Sequence, residues 1–468
     1  MTEKRKRKLA MPDTLIIVAS VVLLVAILSW IIPSGTYDYQ EMNINGRIRN
    51  VAIDGTYHTI DKSEVTTTGF LGFFSVLYRG CVEAADVIFM ILCCCGTFGV
   101  VVKTGAFHAG IGTILKKLKG KEILLVPIIM LIFGLGGSVF GMASEFYGFY
   151  PLIVGLGVAL GYDAMFGFAI IAVGEFVGFM GATLNPYSVG IAQTISGVEL
   201  YSGTGYRTIC FVIFMVISII YVMMYGRKIK KNPGASVVFG EKNIHAFDRD
   251  ELNEYSFTLK DGLVLLDVLV VLVVLMFGLI KWGWDFTQLC GLFLLMSMIA
   301  AAICKWSPNK WCSEFIDSAK TAMWGCILTG IAKAITVVMQ DAQIMDTVIY
   351  GLSNVLKNAP HAVSAQVMLV VQTLINFFIP SATGQASATM PIMAQLADII
   401  GVSRQTAVLA FQFGDGLSNI FWPTADIVII CGLGGISLQK WYKWFTPLFL
   451  ILFATQAILL GIATGIGF

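Results

Sequence analysis

Asp86, Glu145, Glu175, Asp415 and Asp426 are carboxylates set inside stretches of sequence that are otherwise apolar. An acid at membrane depth is costly, so each marks a functional hypothesis. Such a group can pair with a cationic part of a substrate, coordinate Na⁺, or carry a proton once desolvation favours its neutral form. Glu145, Glu175 and Asp415 fall where the apolar pattern is interrupted by helix breakers and small polar residues. The first interrupted region holds Ser138, Ser144, Thr183, Asn185 and Ser188; the second holds Ser381, Thr383, Ser387, Thr389, Ser418, Asn419 and Thr424. A half-helix that begins inside the membrane offers unpaired N–H groups and a partial positive dipole, which suit a carboxylate. The expected substrate-binding set is Ser138, Ser144, Glu145, Glu175, Thr183, Asn185, Ser381, Thr383, Gln385, Ser387, Gln412, Asp415, Ser418, Asn419 and Thr424. The plainer reading of the small residues is close helix packing.

The elements that must position these groups are membrane helices. With 57% hydrophobic and 13% charged residues, the chain cannot cover a water-facing surface with polar groups. Spans near the roughly 20 residues needed to cross a bilayer are Leu15 to Ile32, Val87 to Val102, Tyr206 to Tyr225, Gly262 to Ile280, Leu289 to Ile303 and Trp444 to Ile462. The basic clusters Lys4 to Lys8, Lys116 to Lys121 and Arg227 to Lys231 face the cytoplasm by the positive-inside rule. The expected location is the plasma membrane, multi-pass, with a cytoplasmic N-terminus. Lys333 is the plainest base at depth, and its expected task is to neutralise Asp86 or another acid, or to snorkel.

The interruptions come in matching pairs. Phe140 to Pro151 lies against Pro380 to Pro391, which sets Glu145 opposite Gln385. Ala172 to Tyr187 lies against Leu409 to Thr424, which sets Glu175 opposite Gln412 and Gly178 opposite Asp415. Gly262 to Ile280 has no counterpart, and one surplus crossing would invert the second copy. The fold class expected is an all-α polytopic membrane protein with two inverted-topology repeats, re-entrant hairpins and broken transmembrane helices. Its divisions are a basic N-terminus (1–11), a first repeat (12–226, with an external loop at 34–70), a cytoplasmic linker (227–260), a linking helix (261–281) and a second repeat (282–468).

Met11 to Tyr39, Gly136 to Leu152 and Ser381 to Thr424 resemble the YfcC family, which is similar to the DcuC-type C4-dicarboxylate carriers of the ion transporter superfamily. The resemblance implies re-entrant hairpins near Gly136 to Gly157 and Pro380 to Ala397, elevator-type or similar alternating access, and commonly a homodimer. For substrate it implies either C4-dicarboxylates or basic amino acids, including arginine/ornithine exchange. The acids in the broken segments favour the amino acid, whereas a dicarboxylate would meet few Arg or Lys here. The expectation is therefore a secondary active transporter of a basic amino acid. The alternative is a carboxylate carrier coupled to Na⁺ or H⁺.

Tyr162-Asp163 and Phe413-Gly414-Asp415 echo an intramembrane aspartyl protease, but Gln412 stands where that motif needs glycine. No GxSxG, HExxH or P-loop pattern argues for an enzyme. No cofactor is expected, and Na⁺ or H⁺ is the expected coupling ion. Cys93, Cys94 and Cys95 point in different directions on a helix and cannot form one metal site. The basic runs are topology signals rather than a nucleic-acid surface.

Overall fold

The computed structural model describes residues 13–44, 47–118, 122–241, 245, 256–357 and 363–468. The basic N-terminus (1–11), Lys119, Lys121, His361 and the middle of the linker lie outside them.

The first half runs α1 (Thr14–Ile31), α2 (Phe70–Glu83), α3 (Ala85–Lys103), α4 (Ala106–Leu118), α5 (Leu125–Leu135), α6 (Phe149–Ala159), α7 (Ala164–Met180), α8 (Val189–Ile195) and α9 (Thr204–Lys231). Helix α10 (Leu259–Lys281) follows. The second half runs α11 (Phe286–Ile303), α12 (Pro308–Lys320), α13 (Met323–Asp341), α14 (Met345–Lys357), α15 (Ser364–Phe378), α16 (Ala382–Ile399), α17 (Arg404–Ser418), α18 (Asp426–Gly434) and α19 (Leu438–Gly465). Among the described residues, seven helices are long and apolar enough to cross a membrane, and α13 joins the six spans legible in the sequence. Its Lys333, Gln340 and Asp341 dilute the apolar signal there.

Contacts between the halves are reciprocal. Helix α13 packs on α1 and α2, and α3 packs on α11 and α12; α16 packs on α8, and α6 on α18; α7 meets α17, and α9 meets α19. Replacing each first-half helix by the second-half helix of the same rank returns the same set of contacts.

Helix starts follow local capping chemistry. Asp163 Oδ1 accepts the Phe166 N–H at 2.7 Å to start α7. Ser403 Oγ accepts the Thr406 N–H at 3.0 Å to start α17. Thr258 with Asp261, and Asp285 with Gln288, form capping boxes for α10 and α11. Each of these satisfies N–H groups that a helix start leaves without an intrahelical partner.

The structure corrects the expected architecture in several places. The segment expected as an external loop at 34–70 carries strands: β1 (Ser34–Thr36) pairs with β4 (His58–Ile60), and β2 (Tyr39–Ile44) with β3 (Arg47–Ala52), both antiparallel. In β2 the exposed Tyr39, Glu41 and Asn43 alternate with Met42 and the buried Ile44, and Met42 pairs with Arg49, which is the period of two that a strand pair needs. The protein is therefore helical with a small β element. Asp346 on α14 anchors that element, accepting from Tyr37 N at 3.0 Å and from Tyr39 Oη at 2.8 Å.

The hairpins also differ from the expected spans. In the first hairpin, α5 continues into a π-helical turn at Gly136–Phe140 and forms one arm, while α6 forms the other. In the second, Pro380 to Ala397 is not the hairpin but its tip and returning arm; α15 is the missing arm. Ile379, which precedes Pro380, takes φ −124° and ψ 74°, because a following proline disfavours the helical conformation.

Glycines let the arms approach α7. A methyl group added at Gly178 would lie 2.1 Å from Gly134 O and 2.5 Å from Gly134 Cα. These are backbone atoms that no side-chain rotation can move aside. Gly178→Ala is expected to cost about 1–3 kcal/mol through forced separation of α5 and α7, read as a lower unfolding midpoint in detergent. An unchanged midpoint would show that these backbones are not in contact.

Candidate functional site

The two hairpin tips and the two breaks in α7–α8 and α17–α18 meet around two adjoining cavities. The first tip, between the π turn and α6, turns at Gly141 with φ +69°, where a Cβ would lie 2.3 Å from Asn185 Oδ1. Asn185 Oδ1 in turn accepts the Tyr187 N–H at 2.9 Å and the Ser188 N–H at 3.2 Å. It thereby organises the turn that leads into α8. Ser138 bonds Gly181 O at 3.1 Å and Thr183 Oγ1 at 3.2 Å. Thus Ser138, Thr183 and Asn185 fasten the break to the first tip.

One cavity of about 520 Å³ is lined by Ser144 and Tyr147 from the first tip, Ser381 and Gly384 from the start of α16, and Thr424 and Asp426 from the start of α18. Thr329, Lys333 and Thr336 of α13, and Glu83 of α2, complete its polar wall. The adjoining cavity, about 510 Å³, carries Asp86, Glu145, Asp285, Thr383 and Arg49, and shares Ser144, Phe286 and Ser381 with the first. A larger cavity of about 790 Å³ beside β3 also reaches Arg49 and touches Tyr187. It holds none of the expected binding residues.

Three features give the site its chemistry. Ser381 Oγ caps α16 by accepting the Gly384 N–H at 3.3 Å, so a helix N-terminus faces the cavity where an anion is favoured. Asp426 stands in the first turn of α18 and accepts from Tyr147 Oη at 2.8 Å. Lys333 makes no ion pair among the described residues, whereas its expected task is to neutralise Asp86 or another acid, or to snorkel. The buried helix α13 points it into the cavity instead of toward an interface. A cation and an anion thus line one cavity without neutralising each other there.

Ser144, Glu145, Ser381, Thr383 and Thr424 therefore line the cavities, and Glu145, 7% exposed, holds the Ala143 N–H at 3.0 Å. Other expected residues stand behind the wall. Asn376 Nδ2 shares its two hydrogens among Gln385 Oε1 at 3.2 Å, Asp415 Oδ1 at 2.9 Å and Asn419 Oδ1 at 3.1 Å. Gln385 Nε2 donates to Gln372 Oε1 at 2.7 Å, and Gln372 Nε2 donates to Thr389 Oγ1 at 3.1 Å. This cluster pins the second tip to α17. Gln412 Nε2 donates to Phe179 O at 2.6 Å, Ser418 Oγ to Gly414 O at 2.5 Å, and Ser387 Oγ to Thr383 O at 2.9 Å. Thr383 Oγ1 donates to Tyr187 O at 3.0 Å and ties the halves together. Glu175, 0% exposed, receives the Tyr150 hydroxyl at 2.9 Å and reaches neither cavity.

Sequence reasoning did not assign Tyr147, Lys333, Asn376, Gln372 or Thr329 to the site, and it counted Asp426 only as an intramembrane acid. Asn376 carried a usable signal: a carboxamide inside an apolar run, four residues before the helix-breaking Pro380.

The profile of the C4-dicarboxylate anaerobic carriers, DcuC, matches residues 11–465. The chain belongs to the DcuC family. It is 32% identical over 491 residues to an Escherichia coli K12 protein described as "Putative basic amino acid antiporter YfcC", covering 97% of this chain and 96% of that one. A Haemophilus influenzae protein described as uncharacterized is 27% identical over 499 residues, with coverage of 98% and 97%. Among solved structures, the Alcanivorax borkumensis YdaH transporter aligns with a TM-score of 0.44 at 15% identity, covering 98% of this chain and 99% of that chain. Neisseria gonorrhoeae MtrF, from a class of antimetabolite efflux pumps, aligns with 0.44 at 16% identity, covering 97% and 96%. This DcuC-family chain is a multi-pass membrane transporter of the YfcC type and not an enzyme, which sets aside the protease reading of Asp163 and Asp415.

Proposed function

We propose that this transporter exchanges small basic amino acids, of the arginine and ornithine kind, across the plasma membrane. The observation that carries the reading is the presence of both signs of charge in one cavity: Lys333 and the α16 N-terminus line it, and so does Asp426. The α-carboxylate would take the first pair, and an ammonium group would take Asp426. Acids outnumber bases around the two cavities, with Glu83, Asp86, Glu145, Asp285 and Asp426 against Lys333 and Arg49. That excess suits a substrate with more positive than negative charge. The antiporter description of the Escherichia coli relative agrees.

A C4-dicarboxylate, which the family description suggests, is the second reading. Its first carboxylate suits the Lys333 side, but the other would face Asp426 or Glu145. The alternating-access step is read from the paired breaks. Nine helices precede α10 and nine follow it among the described residues, so the crossing by α10 would start the second run on the opposite side of the membrane. Two inverted repeats would then enclose a midplane site, with the N-terminus in the cytoplasm and two copies forming a dimer.

Purified protein in liposomes preloaded with ornithine is expected to accumulate labelled arginine by counterflow. Uptake no greater than in protein-free vesicles, or competition by succinate and fumarate alone, would overturn the basic amino acid reading.

A further inference from the structure

We infer that Glu175 is a proton-binding site whose ionisation is coupled to the charge of the substrate in the cavity, so that a cationic substrate and a proton are exchanged. This rests on the cationic-substrate reading. The side chain is fully buried in α7. Its Oε2 accepts from Tyr150 Oη at 2.9 Å, and its Oε1 has no hydrogen-bond partner. No Lys or Arg forms an ion pair with it among the described residues. An ionised carboxylate in that place would be a buried, unneutralised charge at membrane depth, and the neutral acid is the less costly form.

The connection to the cavity runs along one turn of chain. Tyr150 N donates to Tyr147 O at 3.3 Å, and Tyr147 Oη donates to Asp426 Oδ1 at 2.8 Å. Two tyrosine–carboxylate pairs therefore stand one above the other, Tyr150 with Glu175 inside the wall and Tyr147 with Asp426 on its surface. The acids that the first tip brings to this pair are Asp426 from α18, bonded to Tyr147 Oη, and Glu145, two residues before Tyr147. Helix α5 and its π turn carry no titratable residue. On α17 the acid is Asp415, whose Oδ1 is held by Asn376, and on α9 the buried groups include the Cys210 thiol, beside Phe211, and Arg207, which lies over the Phe468 ring.

Like charges oppose one another, so Asp426 and Glu145 with no cation present favour proton uptake by Glu175. A cationic substrate at Asp426 offsets that negative potential, and Glu175 then ionises and its proton leaves to solvent. Net charge in the site is conserved, because one positive charge enters as one leaves. The second half has Gln412 at the aligned position, so the proton site at this position belongs to the first half alone.

Arginine added to the wild-type protein in weakly buffered detergent solution is expected to release protons in proportion to binding. Its apparent affinity should fall about tenfold per pH unit on the acid side of the midpoint, the slope for one competing proton. Glu175→Gln should lose both the release and the slope, and Tyr150→Phe should move the midpoint of the pH profile. Inside-acid liposomes should accumulate arginine, and a Na⁺ gradient alone should not drive uptake. Arginine counterflow with no proton release, release that persists in Glu175→Gln, or uptake driven by Na⁺ alone would overturn this inference while leaving amino acid exchange standing. Absence of arginine binding would instead remove the reading on which it rests.

Discussion

Asp426→Asn is expected to weaken arginine binding by about 2–5 kcal/mol, roughly thirtyfold to several thousandfold in Kd. The substitution keeps the shape of the side chain and an oxygen that can accept from Tyr147 Oη, so the tip contact at 2.8 Å survives. What it removes is the negative charge at the start of α18, in the cavity that Lys333 also lines. A cationic group buried in the cavity would then lose its charged partner, and truncating one member of such a pair costs most of the desolvation of the other. Equilibrium binding of labelled arginine to the detergent-solubilised variant measures the effect directly. A Kd within twofold of wild type would mean that Asp426 does not face the substrate's cationic end. Lys333→Met should act on the other end, weakening arginine and its uncharged-carboxylate analogue argininamide unequally.

Asn376→Ala is expected to remove about 3–5 kcal/mol of stability, counting two lost donor hydrogens and the buried acceptors left behind. Its Nδ2 is the hub on which Gln385, Asp415 and Asn419 converge, and all four residues are fully or nearly fully buried. Asp415 Oδ2 already lacks a hydrogen-bond partner, so loss of the hub also removes the 2.9 Å bond to Oδ1. That loss is a large fraction of the 5–15 kcal/mol by which folded proteins are commonly stable. The expected readout is a strongly reduced yield of monodisperse protein and an unfolding midpoint lowered well beyond that of Gly178→Ala. A wild-type midpoint would show that the second tip is held by something other than this cluster.

The sequence and the structure divide the explanation along physical lines. Spans were legible because burial in lipid requires long apolar helices with their backbone groups satisfied internally, and this requirement is local to each segment. The breaks at Pro380 and Asn185-Pro186 were legible for the same reason: proline acts on its own backbone and on the residue before it. The small β element was passed over because Tyr39 to Ala52 alternates only weakly amid polar residues, and α14 supplies its anchor from some 300 positions away through Asp346.

Which polar residues face a cavity is a different kind of fact. Glu145 and Glu175 look alike in sequence, each an acid in a glycine-rich apolar run. The tip leaves Glu145 at the edge of a cavity, whereas α7, enclosed by α5, α6, α9 and α17, buries Glu175 against Tyr150. Asp415 and Asp426 divide in the same way, one tied to Asn376 and the other open to Lys333's cavity. The sequence by itself determined that this is a membrane transporter with paired broken helices and with Glu145, Glu175 and Asp415 set inside them. Only the tertiary structure decided which of those acids reach a cavity, because side-chain exposure at membrane depth depends on helices that are distant in the chain.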